Sequence, residues 1–139
     1  MKDQYTAPPR LILACGEAPL GRILSHTLSS LGAEVECVHT HKALVGRILS
    51  ADYDIIITRF AEPLLESRRA VALLRGCYTP RPNRRTLYVI ADRLTAEESV
   101  ALLERGVSQL FATPFSTTRL GQKVLGELIK CRERCGCTL

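Results

Sequence analysis

The stretch LTAEESVALLERGVSQLFATPFS, residues 94–116, contains one helix and one strand in sequence. Thr95 and Glu98 have the spacing of a capping box, in which each side chain bonds the backbone of the other residue at a helix start. The helix is predicted to end at Gly106, because glycine favours the left-handed conformation that follows many helices. A short strand follows over residues 109–112. A helix that leads directly into a strand is the repeating unit of an α/β fold.

The same alternation of apolar strands and amphipathic helices runs through the rest of the chain. Runs of β-branched and aliphatic residues predict the strands, and apolar residues at helical spacing predict the helices. The predicted strands are residues 10–15, 34–38, 54–58, 86–91 and 109–112, and the predicted helices are residues 20–31, 40–50, 64–75, 95–105 and 116–134. This strict alternation indicates a parallel sheet with helices on both faces.

Further residues refine the predicted helices. Thr40 and Ser116 are suited to cap helix starts, and Gly32 and Gly76 are suited to end helices. Apolar residues at helical spacing predict which side chains face the core. They are Leu20, Ile23, Leu24, Leu28 and Leu31 in the first helix, Leu44, Val45, Ile48 and Leu49 in the second, and Leu120, Val124, Leu125, Leu128 and Ile129 in the last.

The composition is that of one ordinary globular domain. Of 139 residues, 46% are hydrophobic and 24% are charged, which excludes a disordered tail and a coiled coil. No apolar run approaches the roughly 18 residues of a membrane span. The N-terminus has no signal-peptide pattern, so we expect a cytoplasmic protein. We divide the chain into a flexible N-terminus over residues 1–9, a domain over residues 10–131 and a tail over residues 132–139.

The chain contains six cysteines but no pattern typical of a disulfide framework. Three of them lie in or beside apolar stretches and are predicted to be small core residues: Cys15, Cys37 and Cys77. The other three crowd the C-terminus with a spacing that fits no common zinc site: Cys131, Cys135 and Cys137. We expect free thiols on a tail, with a metal or redox role as the alternative.

Three segments together resemble the receiver domain of two-component response regulators. They are residues 21–48 (GRILSHTLSSLGAEVECVHTHKALVGRI), residues 53–63 (YDIIITRFAEP) and residues 94–116. The resemblance covers roughly residues 10–130. It implies a flavodoxin-like (βα)5 doubly wound sheet of strand order 2-1-3-4-5, with the functional site at the carboxyl ends of the strands.

Receiver domains phosphorylate an aspartate with the help of a magnesium ion, and the resemblance locates the positions of that site. Each key position carries a different residue type here. Cys15 and Gly16 replace a pair of acids, Arg59 replaces the phosphorylated aspartate, Ala91 replaces a Thr or Ser, Thr113 replaces a lysine, and Leu110 replaces the aromatic switch residue. From the acidic corner only the neighbouring Glu17 is present.

These replacements predict a degenerate site that binds no metal. Magnesium prefers carboxylate and water oxygens, and the permanent positive charge of Arg59 repels a divalent cation. A guanidinium has no anionic oxygen to accept a phosphoryl group. The sequence therefore predicts a pseudo-receiver: a stand-alone, non-enzymatic module without cofactor that acts by phosphorylation-independent protein–protein interaction.

Arg59 has two interpretations. In the structural one, its side chain pairs with Glu17 or Glu62 and fills the space that magnesium occupies in a receiver. In the alternative, Arg59 binds a small anion or nucleotide, and the chain is a sensor.

Two basic regions are candidate contact surfaces. The first is the loop that contains Arg81, Arg84 and Arg85, which is either a solvated loop or a contact for an acidic partner or nucleic acid. Nucleic acid ranks last, because the net charge is only +5 and no DNA-reading motif is present. The second is the face formed by the fourth helix, fifth strand and fifth helix, roughly residues 95–131. Family members use this face for partners and dimers, and its expected outward residues are Arg105, Arg119 and Lys123.

Overall fold

The computed structural model describes residues 8–16, 19–76, 85–113 and 116–136, with side chains described up to residue 130. The strands are β1 (Arg10–Ala14), β2 (Glu34–Val38), β3 (Ile55–Thr58), β4 (Thr86–Ala91) and β5 (Gln109–Ala112). The helices within these ranges are α1 (Pro19–Ser30), α2 (His41–Ser50), α3 (Glu62–Glu66), α4 (Arg68–Leu74), α5 (Ala96–Arg105) and α6 (Thr117–Gly136).

The five strands form one parallel sheet of order β2-β1-β3-β4-β5, which confirms the predicted flavodoxin-like topology. Ile56 in β3 lies opposite Ile12 of β1 on one side and Leu87 of β4 on the other. Because all strands run in the same direction, their carboxyl ends lie along a single edge of the sheet.

Successive side chains of a strand point to opposite faces of the sheet, and helices cover both faces. On one face, Leu13 and Ile57 belong to a core cluster that includes residues of α1 and α6. On the other face, Ile12 and Ile56 belong to a cluster that includes residues of α2, α4 and α5. This two-sided burial explains why β1, β3 and β4 are largely continuous apolar runs, whereas the edge strand β2 alternates.

The predicted helix boundaries between residues 32 and 106 are largely confirmed. Thr95 and Glu98 form both hydrogen bonds of the capping box. Gly32 and Gly106 have φ angles of 96° and 116°, in the left-handed region that glycine adopts without strain. The side chain of Thr40 accepts a hydrogen bond from the α2 backbone, as predicted for a cap.

Four side chains predicted to face the core are exposed instead: Ile23, Leu49, Leu125 and Ile129, with exposed fractions of 53%, 68%, 41% and 48%. Each helix rests on the sheet along a narrow stripe, formed by Leu24 and Leu28 in α1. A neighbouring position on a helix points about 100° away, so a residue beside this stripe reaches solvent.

The predicted helix over residues 64–75 is two helices, because Ser67 has an extended backbone with φ −143° and ψ 126°. The break leaves the carbonyl oxygens of Leu64 and Leu65 available to another donor. Nη1 of Arg105 in α5 donates to both, at 2.6 and 2.7 Å. Arg105 is therefore not the free outward side chain that the sequence predicted.

The last helix begins after Ser116, whose hydroxyl accepts a hydrogen bond from the backbone N–H of Arg119 at 3.2 Å, as predicted for a cap. It continues to Gly136, beyond the predicted end near residue 134. The division of the chain at residues 9 and 131 stays a prediction. No helix within the described ranges is long and apolar enough to cross a membrane.

Candidate functional site

The structure brings four predicted site positions to the carboxyl edge of the sheet. Cys15 follows β1, Arg59 follows β3, Ala91 ends β4 and Thr113 follows β5. Backbone hydrogen bonds continue the sheet past the strand ends: Arg59 donates its N–H to the Ala14 carbonyl at 2.8 Å, and Thr113 donates to the Ala91 carbonyl at 3.1 Å. The local backbone is thus held by the sheet rather than by the side chains of the site.

A carboxylate links three strand ends at this edge. Nη2 of Arg59 lies 3.7 Å from Oδ2 of Asp92, the residue that follows β4. Oδ1 of Asp92 accepts a hydrogen bond from the Thr113 hydroxyl at 2.5 Å. We call Arg59, Asp92 and Thr113 the edge cluster. Its charges are matched, because the guanidinium and the carboxylate are paired and the hydroxyl donates to the carboxylate.

The edge cluster lowers the pKa of Asp92. The hydrogen bond from Thr113 is the largest cause, and the positive charge of Arg59 adds to it. The side chain of Asp92 is 58% exposed, so water and salt screen its ion pair with Arg59. The cluster therefore keeps its carboxylate charged without contributing much to stability.

The partner of Arg59 in the described structure differs from the predicted ones. The sequence suggested Glu17 or Glu62, and the structure gives the ion pair with Asp92. Glu17 lies outside the described residues. Sequence reasoning missed Asp92, although an acid directly after a predicted strand lies at the same edge as Arg59 and could have been recognised from that position.

Cys15 is a buried thiol, as predicted. Burial raises its pKa to about 11, although the nearby charge of Arg59 acts in the opposite direction. The protonated form therefore dominates at neutral pH, and a thiol is neither a good nucleophile nor a metal ligand. Cys15 forms an apolar part of this site.

Leu110 and Ala91 carry no polar group toward this edge. Leu110, at the expected switch position, is partly buried against the core on the α2–α5 face of the sheet. Ala91 is buried and has no hydroxyl. Within the described ranges, no group of three or more His, Cys, Asp or Glu side chains is arranged to hold a metal ion.

The basic loop is only partly described, and its described arginine is not at the surface. Arg81 and Arg84 lie outside the described residues. Arg85 is 6% exposed and donates from Nη2 to the carbonyls of Ile48 and Ala51, at 3.1 and 3.5 Å. Arg85 therefore has a structural role at the end of α2, and its assignment to an exposed contact surface was wrong.

Other predicted residues divide between the surface and the undescribed parts. Arg119 and Lys123 are exposed on α6. Cys37 is exposed rather than buried in the core, because β2 is the edge strand of the sheet. Several predictions concern residues or side chains that lie outside the described part: Cys77, Cys131, Cys135 and Cys137.

Comparisons with known proteins agree with the fold. No family model matches the chain. The chain is 27% identical over 117 residues to the sensor protein GacS of Pseudomonas syringae pv. syringae, a match that covers 82% of this chain and 13% of that protein. The chain thus corresponds to a small part of this relative.

Solved structures of receiver domains are similar over nearly their whole length. A CheY-like receiver domain protein of Methanospirillum hungatei JF-1 has a TM-score of 0.72 and 18% identity, covering 92% of this chain and 98% of that one. The orphan response regulator HP1043 of H. pylori has a TM-score of 0.69 and 18% identity, covering 86% and 96%. At these identities the similarity establishes the fold: the chain has the fold of response regulator receiver domains.

Proposed function

We propose that this receiver-fold chain is a pseudo-receiver, a non-enzymatic signalling module of the kind found in two-component systems that acts by protein–protein contact without phosphorylation. The observation that carries the proposal is the edge cluster. Arg59 follows β3, where the resemblance expects the phosphorylated aspartate, and its guanidinium is paired with Asp92.

Charge at the edge argues against the magnesium chemistry of receivers. A magnesium ion needs several oxygen ligands, usually including carboxylates. Cys15 and Gly16 offer no carboxylate, and the carboxylate of Asp92 is already engaged by Thr113 and Arg59. A divalent cation entering this edge would meet the positive charge of Arg59 and would have to displace an existing ion pair.

The same ion pair supports the structural interpretation of Arg59 over a sensor site. An anion that binds Arg59 would have to compete with the carboxylate of Asp92, which is held in place by Thr113. In this interpretation Arg59 fills the space that magnesium occupies in a receiver and pairs there with Asp92.

Treatment with acetyl phosphate and magnesium tests phosphorylation independence. We expect no phosphorylated species by intact-mass spectrometry, and no amide NMR shifts at residues 15, 16, 59 and 113 with magnesium and beryllofluoride. Arg59→Asp alone should stay unphosphorylated, because the paired acids at positions 15 and 16 and the lysine at position 113 are still missing. An active receiver domain treated in parallel is the positive control.

Phosphorylation of the wild-type chain on any carboxylate, Asp92 included, would overturn this part of the proposal. Saturable beryllofluoride shifts confined to the edge cluster would do the same, because they would show that the site still binds a phosphoryl mimic.

The proposed partner surface is formed by α5, β5 and α6, which correspond to the fourth helix, fifth strand and fifth helix of the sequence analysis. On α5, Val100 and Leu103 are exposed by 52% and 48%. Neither side chain lines the groove between α4 and α5, to which α5 contributes Ala101, Glu104 and Arg105. Lys123 of α6 lies near β5 and supplies positive charge. The surface thus suits a partner with apolar and acidic groups, a second copy included.

A double variant, Val100→Asp with Leu103→Asp, tests this surface. We expect loss of cross-linked partner complexes in cells that express the full-length protein, and loss of any dimer in sedimentation velocity. Leu49→Asp is the matched control, because Leu49 is 68% exposed but lies on α2. Equal loss in both variants, or in neither, would place the interaction elsewhere.

A further inference from the structure

A cleft of about 760 Å³ lies between α1 and the edge strand β2. Small residues recur every fourth position on the helix side of this cleft, at Gly21, Ser25 and Ser29. Because glycine has no side chain and serine has a short one, space stays open between this face of α1 and β2. Leu13 and Cys15 line the inner part of the cleft but are only 1% and 4% exposed, so the accessible apolar surface is that of Cys37 on β2 and of the small residues on α1.

The described polar residues that line this cleft are basic or neutral. Arg22 and His26 contribute from α1, and His39 contributes from the end of β2. Nδ1 of His39 lies 3.1 Å from the carbonyl oxygen of Gly16 and so donates its proton to it. The Nε2 atom is then the ring nitrogen that can contact a ligand.

No acidic side chain lines the cleft among the described residues. Successive side chains of a strand point to opposite faces of the sheet, so the acidic side chain of Glu36 in β2 does not point into the cleft. Glu36 points to the α2 face, where Arg47 donates to it at 2.6 Å. Cys37, the next residue, lines the cleft. The register of β2 therefore keeps the Glu36 carboxylate out of a cleft whose rim carries Arg22.

We propose that this cleft binds a small amphipathic anion, a molecule with one carboxylate, sulfonate or phosphate group on an apolar body. The anionic group contacts Arg22 and His26, and the apolar body lies between Cys37 and the small residues of α1. The volume is within the range of small-molecule sites. The proposal does not depend on the phosphorylation state of the edge cluster, because Arg59, Asp92 and Thr113 do not line the cleft.

Two fluorescent dyes that differ by one sulfonate test the charge requirement. Anilinonaphthalene sulfonate is an amphipathic anion, and phenylnaphthylamine is its neutral counterpart. We expect saturable binding of the anionic dye to the full chain, about tenfold tighter than the neutral dye, because one charge-assisted contact is worth about that factor. Amide NMR shifts should be confined to residues 16, 21–29 and 37–39. Bound dye should also protect the exposed thiol of Cys37 from iodoacetamide.

Three variants separate charge from shape. Arg22→Gln should weaken the anionic dye about tenfold and leave the neutral dye unchanged. Ser25→Leu should weaken the binding of both dyes, because the larger side chain narrows the cleft. Arg119→Gln is the matched control, an exposed arginine near the start of another helix, and should affect neither. The amide NMR spectrum of each variant shows whether it folds.

Vesicles distinguish a free ligand from a lipid surface. We expect no cosedimentation with phosphatidylglycerol vesicles, because a cleft of this volume accommodates one small molecule and not a membrane surface. Equal affinity for the two dyes, unchanged binding by the Arg22→Gln variant, shifts outside the cleft, or vesicle binding that depends on Arg22 would each overturn the proposal.

Discussion

Arg59 and Arg85 stand at opposite ends of two neighbouring strands, and the fold uses their guanidinium groups differently. Arg59 follows β3 at the carboxyl edge and is paired with Asp92 in a solvent-exposed site. Arg85 precedes β4 at the amino edge, is 6% exposed and donates to the carbonyls of Ile48 and Ala51. The arginine in the candidate functional site is the less constrained of the two.

This difference follows from what each guanidinium contacts. Carbonyls at the end of a helix have no partner within it, and leaving them buried without a donor is costly. Arg85 supplies that donor at the end of α2. The contact of Arg59 is an exposed ion pair, which water can replace on both sides. Sequence alone shows two arginines beside strands and cannot distinguish these situations.

The largest loss of stability is expected when Arg85 is replaced. Arg85→Met should lower the free energy of unfolding by about 2–3 kcal/mol, because it leaves a buried helix-end carbonyl without its charged donor. Arg59→Met should cause no resolvable change. Urea denaturation of both variants measures the difference. Equal destabilisation by the two substitutions would contradict the contrast between the two edges.

A smaller loss is expected for Arg105, which binds a helix end while partly exposed. Arg105→Met should lower the free energy of unfolding by about 1–2 kcal/mol, because the carbonyls of Leu64 and Leu65 lose their shared donor. Hydrogen exchange should increase first in α3 and α4. Arg119→Met is the control for loss of an exposed arginine. If α3 and α4 keep wild-type protection, Arg105 does not stabilise the helix break.

The smallest expected effect on stability is the one that depends on the ionisation of Asp92 in the edge cluster. Asp92 should titrate below its ordinary pKa of 3.8 in the folded protein, because Thr113 and Arg59 stabilise its charged form. Since the folded pKa lies below the unfolded one, the carboxylate contributes to stability above pH 3.8, and this contribution disappears as the pH falls through the folded value.

Thr113→Val should raise the pKa of Asp92 by removing the largest cause of its shift. NMR titration of the side-chain carboxyl group measures this change directly. A wild-type Asp92 that titrates at or above 3.8, or one that Thr113→Val leaves unchanged, would mean that the edge cluster does not form in solution.

Local sequence signals predicted the architecture well because they act over short distances. The capping box at Thr95 and Glu98, the glycine at position 106 and the apolar run at residues 55–58 each specify a nearby backbone conformation. The alternation of these elements leaves few parallel topologies. The resemblance to receiver domains implied the strand order, which the structure confirms, and that order brings residues 15, 59, 91 and 113 to one edge.

Long-range contacts limited the prediction of side-chain roles. The two carbonyls that Arg105 contacts belong to residues 41 and 40 positions away in the sequence. The Ile48 carbonyl that Arg85 contacts is 37 positions away. The pairing of Arg59 with Asp92 also joins two different strand ends. A periodic pattern contains no information about which distant carbonyl or carboxylate a long side chain reaches.

The sequence by itself determined the order of strands and helices, the glycines and caps that bound them, and the residue types at the carboxyl edge. These depend on local backbone preference and on apolar periodicity, which neighbouring residues set. Only the tertiary structure decided which arginines are buried, which acid pairs with Arg59, and that Cys37 lines an open cleft. Those outcomes depend on how distant elements pack, and packing decides both the solvent exposure and the partners of each charge.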